Sequence, residues 1–328
     1  MKNIVSVTIF PVTLIIALCI LVFASCKKTE QPVSSIYFES SNNTDETAEK
    51  EKYEIIMKRD LLCLMLAYPG YITGIEKDTS GKVYIVMKSG KRILYDDKIK
   101  KSNEQKLNSP DIQDMMEEIY PLNDISQLMD QDFNPGRIRV YSLLFEVYGS
   151  TQQQISQNLK NVSAAGITCR FNGNNNAAAE LEAVLNELNL LMKQGKNIAP
   201  FLYPISGTFN YRLISGTERL SAHAFGIAID LARDKRDYWQ WATRKQGQSR
   251  LNEYSRDLVR TFENHGFIWG GKWGHFDILH FEYRPELIIK AKYFSSMPKP
   301  GENWFCGMED ISEETKGYID MIESALSD

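Results

Sequence analysis

The segment Ser221-Ala-His-Ala-Phe-Gly-Ile-Ala-Ile-Asp230, followed by Asp277-Ile-Leu-His-Phe-Glu282, carries the strongest signals in this chain for both architecture and chemistry. All four histidines of the 328-residue sequence lie between positions 223 and 280. Imidazole and carboxylate groups are common zinc ligands, and a catalytic zinc takes three of them and keeps a fourth position for water. The two segments therefore predict a single Zn²⁺ site.

The alternation of residue types predicts that each segment contains a β-strand. After Gly226, which permits a bend, large apolar residues alternate with small ones and with Asp230, so that the carboxylate has room beside it for a metal. In the second segment His280 and Glu282 share one strand face. Asp277 stands three positions before His280, and a regular strand would point the two apart. We therefore expect a bend or bulge between them.

The pattern Ser-x-His-x-x-Gly-x-Ala-x-Asp followed by Asp-x-x-His resembles the VanX/VanY-type zinc D-Ala-D-Ala peptidases. These are grouped with the L-alanyl-D-glutamate endopeptidases and the hedgehog signalling-domain fold. The resemblance covers residues 130–290 and includes the runs Trp269-Gly-Gly-Lys-Trp273 and His280-Phe-Glu-Tyr-Arg-Pro285. It implies that Asp277 is the general base, where other members carry Glu and the endopeptidases often carry Asp. It also implies three zinc ligands: His223, Asp230 and His280.

An arginine upstream of the first segment completes the implied catalytic set. Phe209-Asn-Tyr-Arg212, followed by Gly216-Thr and Leu220-Ser221, resembles the arginine segment of the family. Arg212 would then stabilise the oxyanion, and Arg219 is the competing candidate because it stands closer to Ser221. Glu282 is a candidate acceptor for the second ring N–H of a histidine ligand, with an exposed surface carboxylate as the alternative. The candidate substrate-binding residues are Ser221, His275 and Trp273.

The N-terminal residues predict export and anchoring. Lys2 precedes an apolar run over residues 9–23, and Phe23-Ala-Ser-Cys26 resembles a bacterial lipobox. Residues 1–25 are thus interpreted as a lipoprotein signal peptide. We expect Cys26 to carry lipid and to hold the protein on a membrane at its periplasmic or extracytoplasmic face. An ordinary signal peptide with an incidental cysteine is the alternative.

The remaining chain is divided by composition and pattern. Residues 26–52 are polar and predict a flexible tether. Residues 53–130 predict a family-specific extension, with a helix over 53–67 and a β-hairpin from Val83–Met87 and residues 92–95. Residues 131–295 form the predicted zinc peptidase domain, and residues 296–328 a C-terminal tail. Further helices are predicted after a capping box at Ser150, over residues 176–193, and after a cap at Ser249. The predicted fold class is α+β, a small, mostly antiparallel sheet covered by helices.

Composition excludes several classes of function. The chain has 38 basic and 42 acidic residues, a net charge of −4, which argues against nucleic-acid binding. We expect a monomeric zinc peptidase of the cell envelope that acts on peptidoglycan stem peptides. D-Ala-D-Ala carboxypeptidase activity is the first interpretation, and Asp at 277 makes L-alanyl-D-glutamate endopeptidase activity the second. A zinc-containing cell-wall-binding module without catalysis is the alternative from another class.

Overall fold

Helices and short strands alternate along the computed structural model, which describes residues 40–309 and 311–327. The helices are α1 (Ser40–Ala67), α2 (Asn103–Asn108), α3 (Ile112–Met116), α4 (Tyr141–Tyr148), α5 (Gln152–Asn158), α6 (Ala177–Lys193), α7 (Ala199–Leu202), α8 (Ala222–Phe225), α9 (Arg244–Glu253), α10 (Arg256–Asn264), α11 (Pro285–Tyr293) and α12 (Glu313–Leu326). The strands are β1 (Ile72–Lys77), β2 (Val83–Met87), β3 (Arg92–Leu94), β4 (Leu159–Ala164), β5 (Ile167–Asn172), β6 (Ala228–Asp230), β7 (Phe267–Trp269) and β8 (His280–Tyr283). Helices with small antiparallel sheets make the α+β class that the sequence predicts.

The chain divides into two compact units, Met1–Thr47 and Ala48–Asp328. Of the first unit the structure describes residues 40–47, which are helical. The predicted signal peptide and Cys26 lie outside the described residues. Helix α1 corrects the tether prediction, because residues 40–52 are helical. The charged residues of this stretch support the helix through ion pairs one turn apart. Lys50 Nζ, for example, lies 3.9 Å from Glu54 Oε1. No described helix is long and apolar enough to cross a membrane.

The extension over residues 53–130 folds around an antiparallel sheet of order β1-β2-β3. The hairpin of β2 and β3 is confirmed. Strand β1 was not predicted, because Gly74 and a register shift after Ile72 interrupt its alternation. Residues 296–328 are more than a tail, since α12 packs against β1. Arg59 of α1 also reaches this end of the chain and donates to the carbonyls of Ser296 (2.7 Å) and Trp304 (2.6 Å).

Helix boundaries in the predicted zinc peptidase domain follow the caps. The prediction for α6 is confirmed. Helix α5 is capped by Thr151, one residue after the predicted Ser150. The predicted cap Ser249 is wrong, because it lies inside α9, which Thr243 caps through a capping box. Ser255 then caps the separate helix α10. The apolar residues Leu251, Tyr254, Leu258 and Phe262 are buried, shared between these two helices and the turn that joins them.

A three-stranded sheet of order β6-β8-β7 forms the centre of the predicted zinc domain. Strand β8 lies in the middle and is antiparallel to both neighbours. Phe281 on one face of β8 stacks on Phe262 of α10 with ring centroids 4.1 Å apart. Adjacent residues of a strand point to opposite faces. His280 therefore lies on the face opposite this apolar packing, where the candidate site is built.

Candidate active site

A one-turn helix positions the first histidine. Ser221 caps α8, and its hydroxyl accepts a hydrogen bond from the backbone N–H of His223 at 3.4 Å. Gly226 ends the helix at φ 69°, in the left-handed region. A Cβ at Gly226 would stand 2.7 Å from Leu159 Cδ2, so a side chain is excluded on two grounds. Strand β6 begins directly afterwards and carries Asp230.

Strand register brings the other two predicted ligands together. Asp230 of β6 is paired directly with His280 of β8. Asp230 Oδ1 lies 2.9 Å from His280 Nδ1 and 3.2 Å from His223 Nε2. One ligand atom from each of the three residues falls within 4.8 Å of the others, an arrangement that could hold a metal ion. The predicted ligand set thus converges on one point.

In both histidine ligands, the ring nitrogen that does not face Asp230 has a nearby acceptor of its own. His223 Nδ1 lies 2.6 Å from the carbonyl oxygen of Thr208. Because a carbonyl only accepts, Nδ1 carries the proton, and Nε2 is left with a lone pair directed at Asp230. His280 Nε2 lies 3.7 Å from Glu282 Oε2. Metal-bound histidines commonly show this arrangement, in which the second nitrogen faces a carbonyl or carboxylate. The donor set therefore fits a zinc ion with three protein ligands.

Glu282 is fully buried, so its interpretation as an exposed surface carboxylate is wrong. Arg139 binds both of its oxygens, with Nε 2.8 Å from Oε1 and Nη2 in contact with Oε2. Arg284 Nη1 lies 3.5 Å from Oε1. Burial alone would raise the pKa of Glu282, but Arg139 outweighs it and holds the pKa well below its usual range. Glu282 is thus a fixed anion behind His280.

Asp277 stands beside the ligands at the end of a turn. It bridges Tyr238 in antiparallel fashion, and its carbonyl accepts a hydrogen bond from the backbone N–H of His280 at 3.1 Å. The predicted bend between Asp277 and His280 is confirmed. Burial raises the pKa of Asp277 to about 7, a rise that the neighbouring charge of Asp230 reinforces. Asp277 is therefore a carboxyl group poised to exchange a proton near neutral pH.

The three candidate ligands and Asp277 line a cleft of about 400 Å³. Both candidate arginines reach it. Arg212 is exposed, and its Nη1 donates to the carbonyl of Leu213 at 3.3 Å. Arg219 is half-buried, and its Nη1 donates to the carbonyl of Leu107 in the extension at 3.2 Å. The two side chains thus differ in freedom. Among the described residues, the Arg212 side chain is held only by its neighbour in sequence, whereas the Arg219 side chain is fixed to another part of the chain.

The three candidate substrate-binding residues also line the cleft. His275 Nδ1 lies 3.2 Å from Asn134 Oδ1, and its ring meets Trp239 edge-on with centroids 4.6 Å apart. Trp273 is buried, and its Nε1 donates to the carbonyl of Pro135 at 2.6 Å. Ser221 is buried as the helix cap. Trp273 and Ser221 are therefore wall residues, and His275 is the most accessible of the three.

Several cleft residues were missed by the sequence reasoning. Arg137 and Arg139 enter from the start of the predicted domain, and Tyr238, Trp239 and Trp241 form an aromatic rim. The run Tyr-Trp-Gln-Trp at 238–241 was an available signal, because clustered aromatics after a site segment are suited to substrate contact. The arginines gave no such signal. Trp269 is fully buried in the core and contributes to no groove.

Comparison with known families agrees with this geometry. Residues 215–283 match the model of a peptidase family described as D-alanyl-D-alanine carboxypeptidase. The matched segment contains His223, Asp230, Asp277 and His280, and Arg212 lies just before it. This match confirms the resemblance to VanX/VanY-type peptidases over the segment that carries the site. No curated protein and no solved structure matches the chain.

Proposed function

We propose that this protein is a zinc-dependent peptidase that removes the terminal D-alanine from peptidoglycan stem peptides. The observation that carries the proposal is the convergence of His223 Nε2, Asp230 Oδ1 and His280 Nδ1 beside the buried carboxyl of Asp277. This cluster falls inside the segment that matches the carboxypeptidase family. The family match supports a peptidase role, and the chemistry of the three donors supports zinc as the metal.

The zinc ion would be held by His223, Asp230 and His280. When bound, it supplies a Lewis acid that polarises a carbonyl and lowers the pKa of water. Thr208 and Glu282 keep the two imidazoles in the tautomers that binding requires. The fixed negative charge of Glu282 also makes His280 a better electron donor.

Asp277 is assigned the proton transfers. Its pKa of about 7 results from burial, and a nearby divalent cation would lower that value, so the carboxylate form would predominate at neutral pH. The carboxylate can then accept a proton from the attacking water and pass it to the leaving amine nitrogen.

Arg212 is assigned to the oxyanion that forms from the scissile carbonyl. Its exposure and its single weak backbone contact leave the guanidinium free to turn toward the substrate. A cation aimed at developing negative charge stabilises the transition state more than the ground state. Arg219 remains the competing candidate, although its hydrogen bond to Leu107 restrains it.

The location proposed for this activity is the cell envelope, with a lipid on Cys26 as the anchor. A tethered enzyme there would meet stem peptides directly. Endopeptidase cleavage between L-alanine and D-glutamate is the second candidate, and Asp at position 277 favours it because the endopeptidases that the sequence resembles often carry Asp there.

Mass spectrometry of peptidoglycan digested with the zinc-loaded mature protein tests the proposal. Release of D-alanine with muropeptides shortened by one residue is the expected result. Fragments cut between L-alanine and D-glutamate would instead support the endopeptidase. Unchanged muropeptides in the presence of zinc-loaded protein would support the binding module.

A further inference from the structure

Arg137 is a cation in the cleft that neither the ligand set nor the proposed oxyanion site uses. Its side chain is half-buried in the cleft wall. Among the residues that the structure describes, no carboxylate pairs with it, and the hydrogen bond from its Nη1 to Asn134 Oδ1 is long at 3.5 Å. Glu118 and Asp132 line a smaller pocket on its far side but form no ion pair with it. The guanidinium therefore lacks the anion that burial normally demands.

The backbone that carries Arg137 is fixed from several directions. Gly136 has φ 91°, and a Cβ there would stand 2.3 Å from Ile268 Cδ1. The Gly136 carbonyl accepts from Arg284 Nη1 at 2.8 Å, and the Pro135 carbonyl accepts from Trp273 Nε1 at 2.6 Å. The backbone beneath the side chain is thus fixed before any ligand arrives, which lowers the entropy cost of binding.

The electrostatic surroundings of Arg137 also favour an anion. Burial lowers the pKa of Arg137, and the positive charges of Arg139 and Arg219 lower it further. The negative charge of Asp277 acts in the opposite direction and raises the pKa of Arg137. The cation thus lines the same cleft as the proposed base, together with three other arginines.

We propose that Arg137 binds the terminal carboxylate of the substrate peptide. The inference rests on the proposed function and identifies the end of the peptide that this cleft accepts. In hydrolysis of the last peptide bond, the leaving nitrogen and the terminal carboxylate belong to one residue and are separated by a single Cα. The group that protonates the nitrogen and the cation that holds the carboxylate must therefore line the same cleft, as Asp277 and Arg137 do. A guanidinium also matches the planar, two-oxygen shape of a carboxylate.

Arg137 and Arg212 thus have different roles. Arg137 contacts a charge that the substrate carries throughout the reaction, whereas Arg212 contacts a charge that appears only as the bond is attacked. A cut between L-alanine and D-glutamate also leaves a carboxylate at this position, because the D-glutamate of stem peptides is linked onward through its side chain. Recognition by Arg137 therefore requires an α-carboxylate on the residue whose nitrogen leaves.

The test uses the zinc-loaded protein and two stem pentapeptides that end in D-Ala-D-Ala, one with a free carboxylate and one with a terminal amide. Wild-type protein should cleave the free acid with a kcat/KM about tenfold to a hundredfold higher, the range expected for a hydrogen bond to a charged group. Arg137→Gln should lose that preference by slowing cleavage of the acid alone. Arg137→Lys should restore part of it. Arg212→Gln is the matched control and should slow both peptides by the same factor.

Equal cleavage of both peptides by wild-type protein would overturn the inference while leaving a peptidase. Equal slowing of both peptides by Arg137→Gln would also overturn it, because the residue would then act on the reaction or the fold. If wild-type protein cleaves neither peptide, the proposed function fails. Calorimetric binding of the two uncleaved peptides to wild type and Arg137→Gln then decides the carboxylate site: the acid must bind more tightly, and only to wild type, for the inference to stand.

Discussion

Asp230 lies between two histidines and faces both through one oxygen, and this contact is the basis of the metal prediction. We predict near-stoichiometric zinc in the wild-type protein and its loss in His280→Ala, because two ligands bind zinc far more weakly than three. His275→Ala is the control: it lines the same cleft but is not in the ligand group, so zinc should remain. Elemental analysis of the purified proteins measures this, and equal zinc in wild type and His280→Ala would contradict the ligand assignment.

Asp277 and Arg212 are assigned to catalysis and not to metal binding. We predict that Asp277→Ala lowers kcat on a stem peptide by about 10²–10⁴-fold, as loss of a general base does. Arg212→Ala should lower it by about 10²–10³-fold, the effect of removing one oxyanion donor. Both variants should keep their zinc. Steady-state kinetics with parallel metal analysis measures the two effects.

Arg219→Ala is the internal comparison for that experiment. It should stay within a few-fold of wild type if Arg212 is the oxyanion cation. A crippled Arg219→Ala beside an active Arg212→Ala would move the role to Arg219. Full kcat in Asp277→Ala would mean that another group is the base.

Arg139 and Glu282 form a buried ion pair behind His280. Because Arg139→Met leaves a buried carboxylate short of its main partner, we predict a loss of about 3–5 kcal/mol in the free energy of unfolding, nearer the lower value since Arg284 remains 3.5 Å away. Zinc affinity should fall about 10–100-fold, because Glu282 no longer holds the imidazole as firmly. Denaturant unfolding and competitive zinc titration provide the two measurements.

An exposed ion pair is the matched control for Arg139. Arg260 pairs with Asp124 at the surface, with Nη1 and Oδ2 2.7 Å apart. Arg260→Met should change the free energy of unfolding by less than about 1 kcal/mol and leave zinc binding intact. Similar losses of stability in both variants would show that burial of the Arg139–Glu282 pair does not cause the destabilisation.

The strands and the turn at the site could be predicted from sequence because their signals are local. Alternation around Asp230, the bend before His280 and the freedom of Gly226 are each visible within ten residues. Arg139 could not be predicted in this way, since its partner Glu282 lies 143 positions away. A pairing at that distance leaves no periodicity in the chain. The same reason explains why Arg137 was missed. The cap at Ser249 was assigned wrongly for a different reason, because the local capping box of Thr243 and Gln246 was overlooked.

The turn between α8 and β6 sets the position of two ligands. We predict that Gly226→Ala destabilises the protein by about 2–5 kcal/mol, since left-handed backbone costs about 1–2 and overpacking about 1–3. Gly216→Ala is the matched control, because its φ of 75° is similar but no atom lies within 4 Å of an added Cβ. Gly216→Ala should lower the free energy of unfolding only by the cost of left-handed backbone, about 1–2 kcal/mol. Thermal or denaturant unfolding distinguishes the two, and equal losses would refute the proposed clash with Leu159.

The whole protein is proposed to reside on a membrane through its N-terminus. We predict that Cys26→Ala releases the protein into the soluble envelope fraction, because the remaining apolar run would be removed as an ordinary signal. Detergent partitioning of cells that express each form measures the shift. Unchanged partitioning of Cys26→Ala would exclude lipid on that residue as the anchor.

The side chain of Arg59 binds carbonyls on both sides of the exposed segment around Met297, at Ser296 and at Trp304. Helix α12 beyond that segment is held separately by β1. A protease that cut near Met297 would therefore produce two polypeptides that remain joined without a covalent bond. Such nicked material would co-purify with intact enzyme and would reveal the break only in a denaturing gel.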